Sequence, residues 1–453
     1  MDTTSPKTTR PRMIVALMET FGLRLWAAVL VASLLALLGV AAIIWIVLSS
    51  PPRVITITSG PPGSSFQRNA ERYKAELAKH GVELRILSSG GSLENLKRLQ
   101  APESGVDIGF VQGGLTEGVP PPNLVSLGSI AYQPLWLFYR GAPISRLSEL
   151  ASRRIAVGAV GSGTRALAMT LLLANGVTPQ QATLVEDDAE RASGGLIEGR
   201  LDAVFLMGDS APTQVLRTLL RTPEVQLYDF TQADAYVRRY PYLNKTVLPQ
   251  GSFDLGKNLP ARNVTLLSPT VELVAKKGLH PALTDLVLGV AQGIHRRASL
   301  LQKQGEFPAP LEHEFTLSED ALRYYKSGKG VVYRLVGSFW VANLINRVLL
   351  ALVPLILVLV PAMRVLPLIY RWSIQLRLYR CYRPLMLLER DAAGPLTKAR
   401  GEELLARLDI VEQAVNRLRV PASFADQFYE LRQHIVFVRR RIRLAMLSAS
   451  SAH

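Results

Sequence analysis

Ser88–Gln112 reads SSGGSLENLKRLQAPESGVDIGFVQ. Leu93, Leu96 and Leu99 recur at helical spacing, Ser92 stands where it can cap the first turn, and Ile108–Val111 is an apolar run entered through the turn residues Ser104 and Gly105. The order is strand end, glycine-serine turn, short helix, loop, buried strand. A helix start framed by small residues offers free N–H groups and the positive end of the helix dipole, which suits a carboxylate or another small anion.

The preceding segment has the same plan. Arg53–Thr58 alternates as a strand, Ser59–Ser64 is a loop, Phe66, Ala70, Tyr73 and Leu77 share one helical face, and Val82–Leu87 is the next strand. Leu124–Ser129 and Leu135–Tyr139 add strands. A second set begins at Arg154, with strand Ile155–Gly158, loop Ala159–Thr164, a helix through Leu167, Leu171 and Ala174, strand Thr183–Val185, helix Ala189–Ile197 and buried strand Leu201–Met207. Arg217–Tyr242 is expected to be helical and loop-like, with short strands Thr246–Leu248, Asn263–Leu267 and Val271–Lys276 after it, then helices Pro281–Gln302 and Ser318–Tyr325. Strands alternating with helices of this length predict an α/β region of two lobes with largely parallel sheets, joined by crossover strands.

Two apolar stretches flank this region. Leu25–Leu48 has no charged residue, and its 24 residues reach about 36 Å as a helix, enough to cross a bilayer core. The run is too long for the apolar part of a cleaved signal peptide, and no A-x-A site precedes Pro51-Pro52. Leu335–Met363 is a second expected span, interrupted by Arg347, Pro354 and Pro361, with Arg347 snorkelling or Val331–Asn346 lying in the interface. Lys7, Arg10, Arg12 and Arg24 precede the first stretch, and Arg364, Arg371, Arg377, Arg380 and Arg383 follow the second. The positive-inside rule then leaves both ends cytoplasmic and Pro51–Gly330 outside.

The net charge of +16 is concentrated in these flanks and the tail, which points to the lipid bilayer as a partner and not to nucleic acid. The single cysteine, Cys381, leaves the outer region without a disulfide, and six scattered histidines suggest no metal site. In the tail, Leu404, Leu408, Val411, Val415 and Leu418 repeat at spacings of four and three. Phe424, Phe428, Leu431, Ile435, Val438 and Ile442 do likewise after Val420-Pro421-Ala422, with Ser423 as a cap, which predicts an antiparallel helical hairpin.

Ser59–Ser65, Ser88–Ser92 and Gly161–Thr164 each precede a helix and gather small or hydroxyl residues. In an open α/β sheet such loops converge at the carboxyl ends of strands. Gly161-x-Gly163-x-x-Ala166, with Glu186, Asp187 and Asp188 about 20 residues on, imitates the dinucleotide fingerprint. It is taken here as an anion-binding loop without the nucleotide, so no cofactor is expected. Gly251–Lys257 imitates a phosphate loop, but Asn258 and Pro260 spoil it. Ser210, in Gly208-Asp209-Ser210-Ala211-Pro212, lacks the second glycine of a nucleophile elbow and a histidine partner, so no catalytic set is assembled and the chain is not expected to be an enzyme.

Several of these segments, in order, resemble the TAXI family of extracytoplasmic solute receptors of tripartite ATP-independent periplasmic (TRAP) transporters. They are Ile57–Gly63 with the Phe66 helix, Ser88–Leu96, Val106–Gln112, Val157–Thr164, Gly199–Phe205, Tyr240-Pro241-Tyr242 with Gln250-Gly251, and Tyr324-Tyr325. The resemblance runs from Val54 to about Tyr325. It implies a two-lobed, type II-like periplasmic binding protein that closes on a small anionic solute, a carboxylate or amino acid, and hands it to TRAP permease subunits. By matching position it implies ligand contacts from Ser59, Gly60, Ser64, Ser89, Gly91, Ser92, Gln112, Ser162, Gly163 and Thr164, with Tyr132 in the wall. Pro61-Pro62 and Gly113-Gly114 depart from the family's usual residues.

The expected architecture is thus α/β, two-lobed, flanked by two transmembrane helices and a C-terminal hairpin. Its parts are a cytoplasmic segment 1–24, a span 25–48, lobe I from 53–138 and 247–326, lobe II from 139–246, a span 335–363 and a basic cytoplasmic segment with the hairpin, 364–453. A ligand sensor and a non-binding assembly protein stand as alternative functions.

Overall fold

The computed structural model describes residues 25–116, 118–311, 314–393, 396–418 and 424–450. The basic N-terminal segment and the expected turn and cap at Val420–Ser423 lie outside them. The elements are α1 (Leu25–Leu48), β1 (Val54–Thr58), α2 (Ser65–Ala78), β2 (Glu83–Leu87), α3 (Ser92–Gln100), β3 (Ile108–Gln112), β4 (Leu124–Tyr132), β5 (Trp136–Arg140), β6 (Arg154–Ala156), α4 (Gly163–Ala174), β7 (Thr183–Val185), α5 (Ala189–Ile197) and β8 (Ala203–Leu206). After them come α6 (Thr213–Arg221), β9 (Val225–Leu227), α7 (Ala233–Arg239), β10 (Leu243–Leu248), β11 (Val264–Lys276), α8 (Pro281–His295), α9 (Glu319–Ser327), α10 (Val331–Val336), α11 (Phe339–Asp391), α12 (Lys398–Asn416) and α13 (Ala425–Ser450).

Ser50–Asn346 is one compact unit built on two sheets. The first has the order β10-β11-β3-β1-β2, with β4 also paired to β11, and the second the order β7-β6-β8-β5-β9. In each, a β-α-β-α-β run pairs in parallel about its first strand: β1 lies between β2 and β3, and β6 between β7 and β8. Antiparallel strands complete the sheets, β11 against β3 and β5 against β8. Phe66 and Tyr73 on α2 pack around Phe110 of β3, with ring centroids 5.4 and 5.7 Å apart, and α8 covers the same face through Leu283, Val287 and Ala291. Leu167, Leu171 and Leu172 on α4 close the second sheet over Ile155 and Phe205.

The structure corrects several expected boundaries. Arg217–Tyr242 contains a strand, β9, which forms the edge of the second sheet against Phe138–Arg140. Asn263–Leu267 and Val271–Lys276 are one strand of 13 residues, β11, which runs through Pro269. That proline stands where pairing to β10 ends and pairing to β4 begins at Thr270, so its missing N–H interrupts little. Leu243 and Leu267 pack on one face of the second sheet, while Leu248, Val264 and Leu266 pack on the other. The helix expected over Pro281–Gln302 ends at His295.

The flanking helices form a separate unit. The expected span at Leu335–Met363 falls largely on the start of a single helix of 53 residues, α11, which begins at Phe339, carries Pro354 and Pro361 within it and continues past Met363 to Asp391. Its segment Phe339–Val358 is long and apolar enough to cross a membrane, and Ala32–Leu48 within α1 is a shorter apolar stretch. Arg347 does not stand free: its guanidinium donates to the carbonyl of Ile46 in the last turn of α1, where a cation is favoured by the helix dipole. Further along, Leu385 and Leu388 of α11, Leu404, Leu408 and Val415 of α12, and Leu431, Val438 and Ile442 of α13 share one core. A side chain at Gly401 would meet Met446, and Arg439 pairs with Asp409 and Glu412, so α12 and α13 run antiparallel.

Phe110 is fully buried at the centre of the first core. Phe110→Ala is expected to lower the unfolding free energy of the Ser50–Asn346 unit by about 3–5 kcal/mol, read as a fall in its urea midpoint. A loss below about 1 kcal/mol would contradict this packing.

Candidate functional site

Three helix starts meet where the two sheets face each other. The first is α2, whose loop has Gly63 followed by Ser64, and Ser64 caps the helix by accepting the Gln67 N–H at 3.2 Å. The second is α3, entered through Gly91 at φ 130°, a conformation that disfavours any side chain. The third is α4, capped by Ser162, which accepts the Arg165 N–H at 3.1 Å.

At their meeting point lies a carboxylate of the chain itself. Asp209, on the turn after β8, is fully buried. Its Oδ2 accepts the Gly163 N–H at 2.7 Å and, more weakly, the Ser92 N–H at 3.4 Å; its Oδ1 accepts the Thr164 and Ser210 hydroxyls at 3.0 and 2.9 Å. A Cβ at Gly91 would come within 2.6 Å of Oδ2. The carboxylate therefore bridges the first turns of α3, from the first sheet, and α4, from the second. Burial pushes the Asp209 carboxyl above its ordinary range, and the four donors, Gly163 first, oppose that shift by favouring the anion.

The turn that carries Asp209 is held on both sides. The Gln133 side-chain oxygen, in the amide orientation that satisfies its surroundings, accepts the N–H groups of Gly208 and Asp209 at 2.5 Å each. Ser65 donates to the Gly208 carbonyl through its N–H at 2.8 Å and its hydroxyl at 2.7 Å. Other bonds cross between the sheets beside it. The Glu94 N–H donates to the Gly161 carbonyl at 2.9 Å, the Gln112 side-chain amide donates to the Gly163 carbonyl at 3.0 Å, and Arg68 reaches Thr213 at 2.7 Å.

The residues expected at a ligand separate into groups. Gly91, Ser92, Gly163 and Thr164 surround Asp209 directly, and Gly60 approaches its backbone. Ser162 and Ser64 are caps. Ser59 and Ser89 belong to a buried network around Asn95, whose amide donates to the Ser59 and Phe110 carbonyls while its oxygen accepts the Thr58 and Ser89 hydroxyls at 2.6 and 2.7 Å. Gln112 lies against Gly163, and its Oε1 is buried without a hydrogen-bond partner. Tyr132 is engaged elsewhere: its hydroxyl donates to Glu306 at 2.9 Å and its ring packs edge-on to Phe307, and burial with that carboxylate pushes its pKa up to about 12.

Sequence reasoning passed over Asp209, Asn95 and Gln133. A polar residue at 95 within the Leu93, Leu96 and Leu99 pattern was the available sign of a buried network. For Asp209 the sign was an acid on a turn directly after a buried strand. The motif look-alikes resolve simply. Glu186 pairs with Arg165 at 2.5 Å and Asp188 caps α5, so neither is set out for a ribose. Within the stretch from Gly251 to Lys257, Asp254 opens a turn closed by Leu259, whose N–H donates to the Asp254 carbonyl at 2.9 Å. Gly113-Gly114 accommodates Tyr242, whose ring lies 2.5 Å from where a Cβ of Gly114 would be. Among the described residues no group of three or more His, Cys, Asp or Glu side chains could hold a metal ion.

Residues 68–261 match the model of the NMT1-like family. Solved structures with similarity include the periplasmic aliphatic sulphonate binding protein SsuA from Escherichia coli, at 14% identity over 53% of this chain and 72% of that one, with a TM-score of 0.33. The alkanesulfonate-binding protein SsuA from Xanthomonas axonopodis pv. citri, bound to MOPS, matches at 13% identity over 54% and 73%, with a TM-score of 0.34. The substrate binding protein of an amino acid ABC transporter matches at 16% identity over 53% and 92%, with a TM-score of 0.31.

A methyl group at residue 163 would overlap the Gln112 side-chain amide. Gly163→Ala is expected to cost about 1–3 kcal/mol of stability, and Gln112→Ala in the same chain to recover part of it. Strictly additive losses in the double-mutant cycle would show that the two groups do not meet.

Proposed function

We propose that the Ser50–Asn346 unit is a receptor for a small anionic solute, of the TAXI type, held at a membrane by its flanking helices. The observation that carries this reading is the donor set around Asp209. Backbone N–H groups from two helix starts and two hydroxyls converge on one carboxylate with no cationic side chain among its partners. Such a set recognises an anion through directed donors and helix dipoles, and its two halves come from different sheets, so binding and lobe closure are one event. A solute carboxylate would take these donors when the lobes part and close again. The ligand contacts proposed are Gly91, Ser92, Gly163 and Thr164, with Gln112 beside them.

For the membrane arrangement, α1 and the Phe339–Val358 part of α11 would both span, with the basic residues before α1 and after residue 363 on the cytoplasmic side. The receptor unit would then face the periplasm or cell exterior of a bacterial inner membrane. Two spans form no transport path, so a TRAP-type permease would accept the solute. In the tail, α12 and α13 would form a cytoplasmic hairpin, and a sensor role would run through it.

A second reading, a closed assembly protein that takes no solute, is favoured by the same observation, because Asp209 already fills the site. The two separate in a thermal-shift screen of the full chain in detergent against organic acids and amino acids. The receptor reading expects at least one carboxylate to raise the unfolding temperature; no response to any of them would leave the assembly reading. Reporter fusions at Gly330 and after residue 453 are expected to report opposite sides of the membrane. The same side for both would contradict the two-span arrangement.

A further inference from the structure

We infer that Asp209 is an internal competitor for the anion site: its carboxylate closes the two lobes on each other in the absence of solute, and any carboxylate solute must displace it. The inference rests on reading the site as an anion receptor, and it adds what governs access to that site.

The Asp209 side chain does what a bound carboxylate would do. Each of its oxygens is taken by donors, Oδ2 by the N–H groups of Gly163 and Ser92 and Oδ1 by the hydroxyls of Thr164 and Ser210, and the first pair reaches across from one sheet to the other. Asp209, Ser92 and Ser162 are all fully buried, and Thr164 and Gln112 are nearly so, which closes these donors to solvent and to a solute carboxylate while the lobes stay in this arrangement. A carboxylate presented from the same chain competes at an effective concentration of at least the millimolar range. The turn that presents it is fixed by the Gln133 oxygen and by Ser65, so little freedom is lost on docking. An acid that only capped α4 would need no bond to Ser92 on the other lobe.

A second observation marks the site as more than a place for Asp209. Gln112 is 1% exposed, its amide N–H donates to the Gly163 carbonyl, and its Oε1 has no hydrogen-bond partner. This buried acceptor stands against the residue that gives Asp209 its shortest bond, and Asp209, an acceptor itself when ionised, cannot serve it. The polar capacity of the site thus exceeds what the internal carboxylate uses.

The test is rescue by a small carboxylate. Full-length wild-type protein, Asp209→Ala and Asp209→Asn are titrated in detergent with sodium formate, against sodium chloride at equal ionic strength, and the unfolding temperature is followed. Asp209→Ala is expected to unfold at a lower temperature than wild type and to regain stability with formate but not with chloride. Its midpoint should lie at least about tenfold below any formate response of wild type, since removing the competitor raises the competent fraction. Asp209→Asn, a neutral and weaker acceptor of similar volume, is expected to respond between the two; if Asp209→Ala does not fold, the comparison of Asp209→Asn with wild type decides. Equal formate midpoints in wild type and variants, or a gain with chloride as large as with formate, would overturn the inference. Formate rescue without any hit in the solute screen would keep the internal competitor and remove the receptor reading. A hit in that screen without formate rescue would do the reverse.

Discussion

A carboxylate removed from water must be met by donors or lose its charge, and the Ser50–Asn346 unit of this chain is arranged around one such group. Asp209 lies on a turn of the second sheet, and Ser92, one of its partners, opens a helix of the first. Because the group is fully buried, its hydrogen bonds and the contact between the sheets are the same structural fact. Opening the lobes would expose both helix starts to water and free the carboxylate. The crossing bonds nearby, Glu94 to Gly161 and Gln112 to Gly163, would break with it.

The same economy of charge holds across the site. Its donors are backbone N–H groups, hydroxyls and helix ends, and Arg98 and Arg165, on the same two helices, are committed to Glu94 and Glu186. Their fixed dipoles need no reorganisation when an anion leaves or arrives, which suits a place where one carboxylate replaces another. The flanking helices follow a different physics. Their apolar surfaces are exposed along much of α1 and the first part of α11, and the one cation set among them, Arg347, turns to a helix-end carbonyl.

The helix starts were legible in the sequence because their signals are local. Ser64 and Ser162 are caps where hydroxyl residues precede apolar periodicity, and Gly91 takes the conformation its position demands. The buried strands β3 and β8 were legible as short apolar runs. What fills the site was not. Asp209 is 46 residues from Gly163 and 117 from Ser92, and no spacing rule tells which of many acidic turn residues a fold will carry inward. Likewise, Asn263–Leu267 and Val271–Lys276 read as two strands because Pro269, between them, sits at a change of partners within one strand, and the apolar stretch ending at Met363 gave no sign that its helix runs on to Asp391. Tyr132, assigned to the wall by resemblance, was drawn off by Glu306, a partner 174 residues away.

The most direct measurement is hydrogen exchange at the Ser92 and Gly163 amides of the full chain, extensively dialysed and without added solute. If Asp209 occupies the site, both amides, first-turn groups that would otherwise face water, exchange slowly without a ligand and become fast in Asp209→Ala. Fast exchange of both in the solute-free wild type, slowed only when a carboxylate is supplied, would contradict the account.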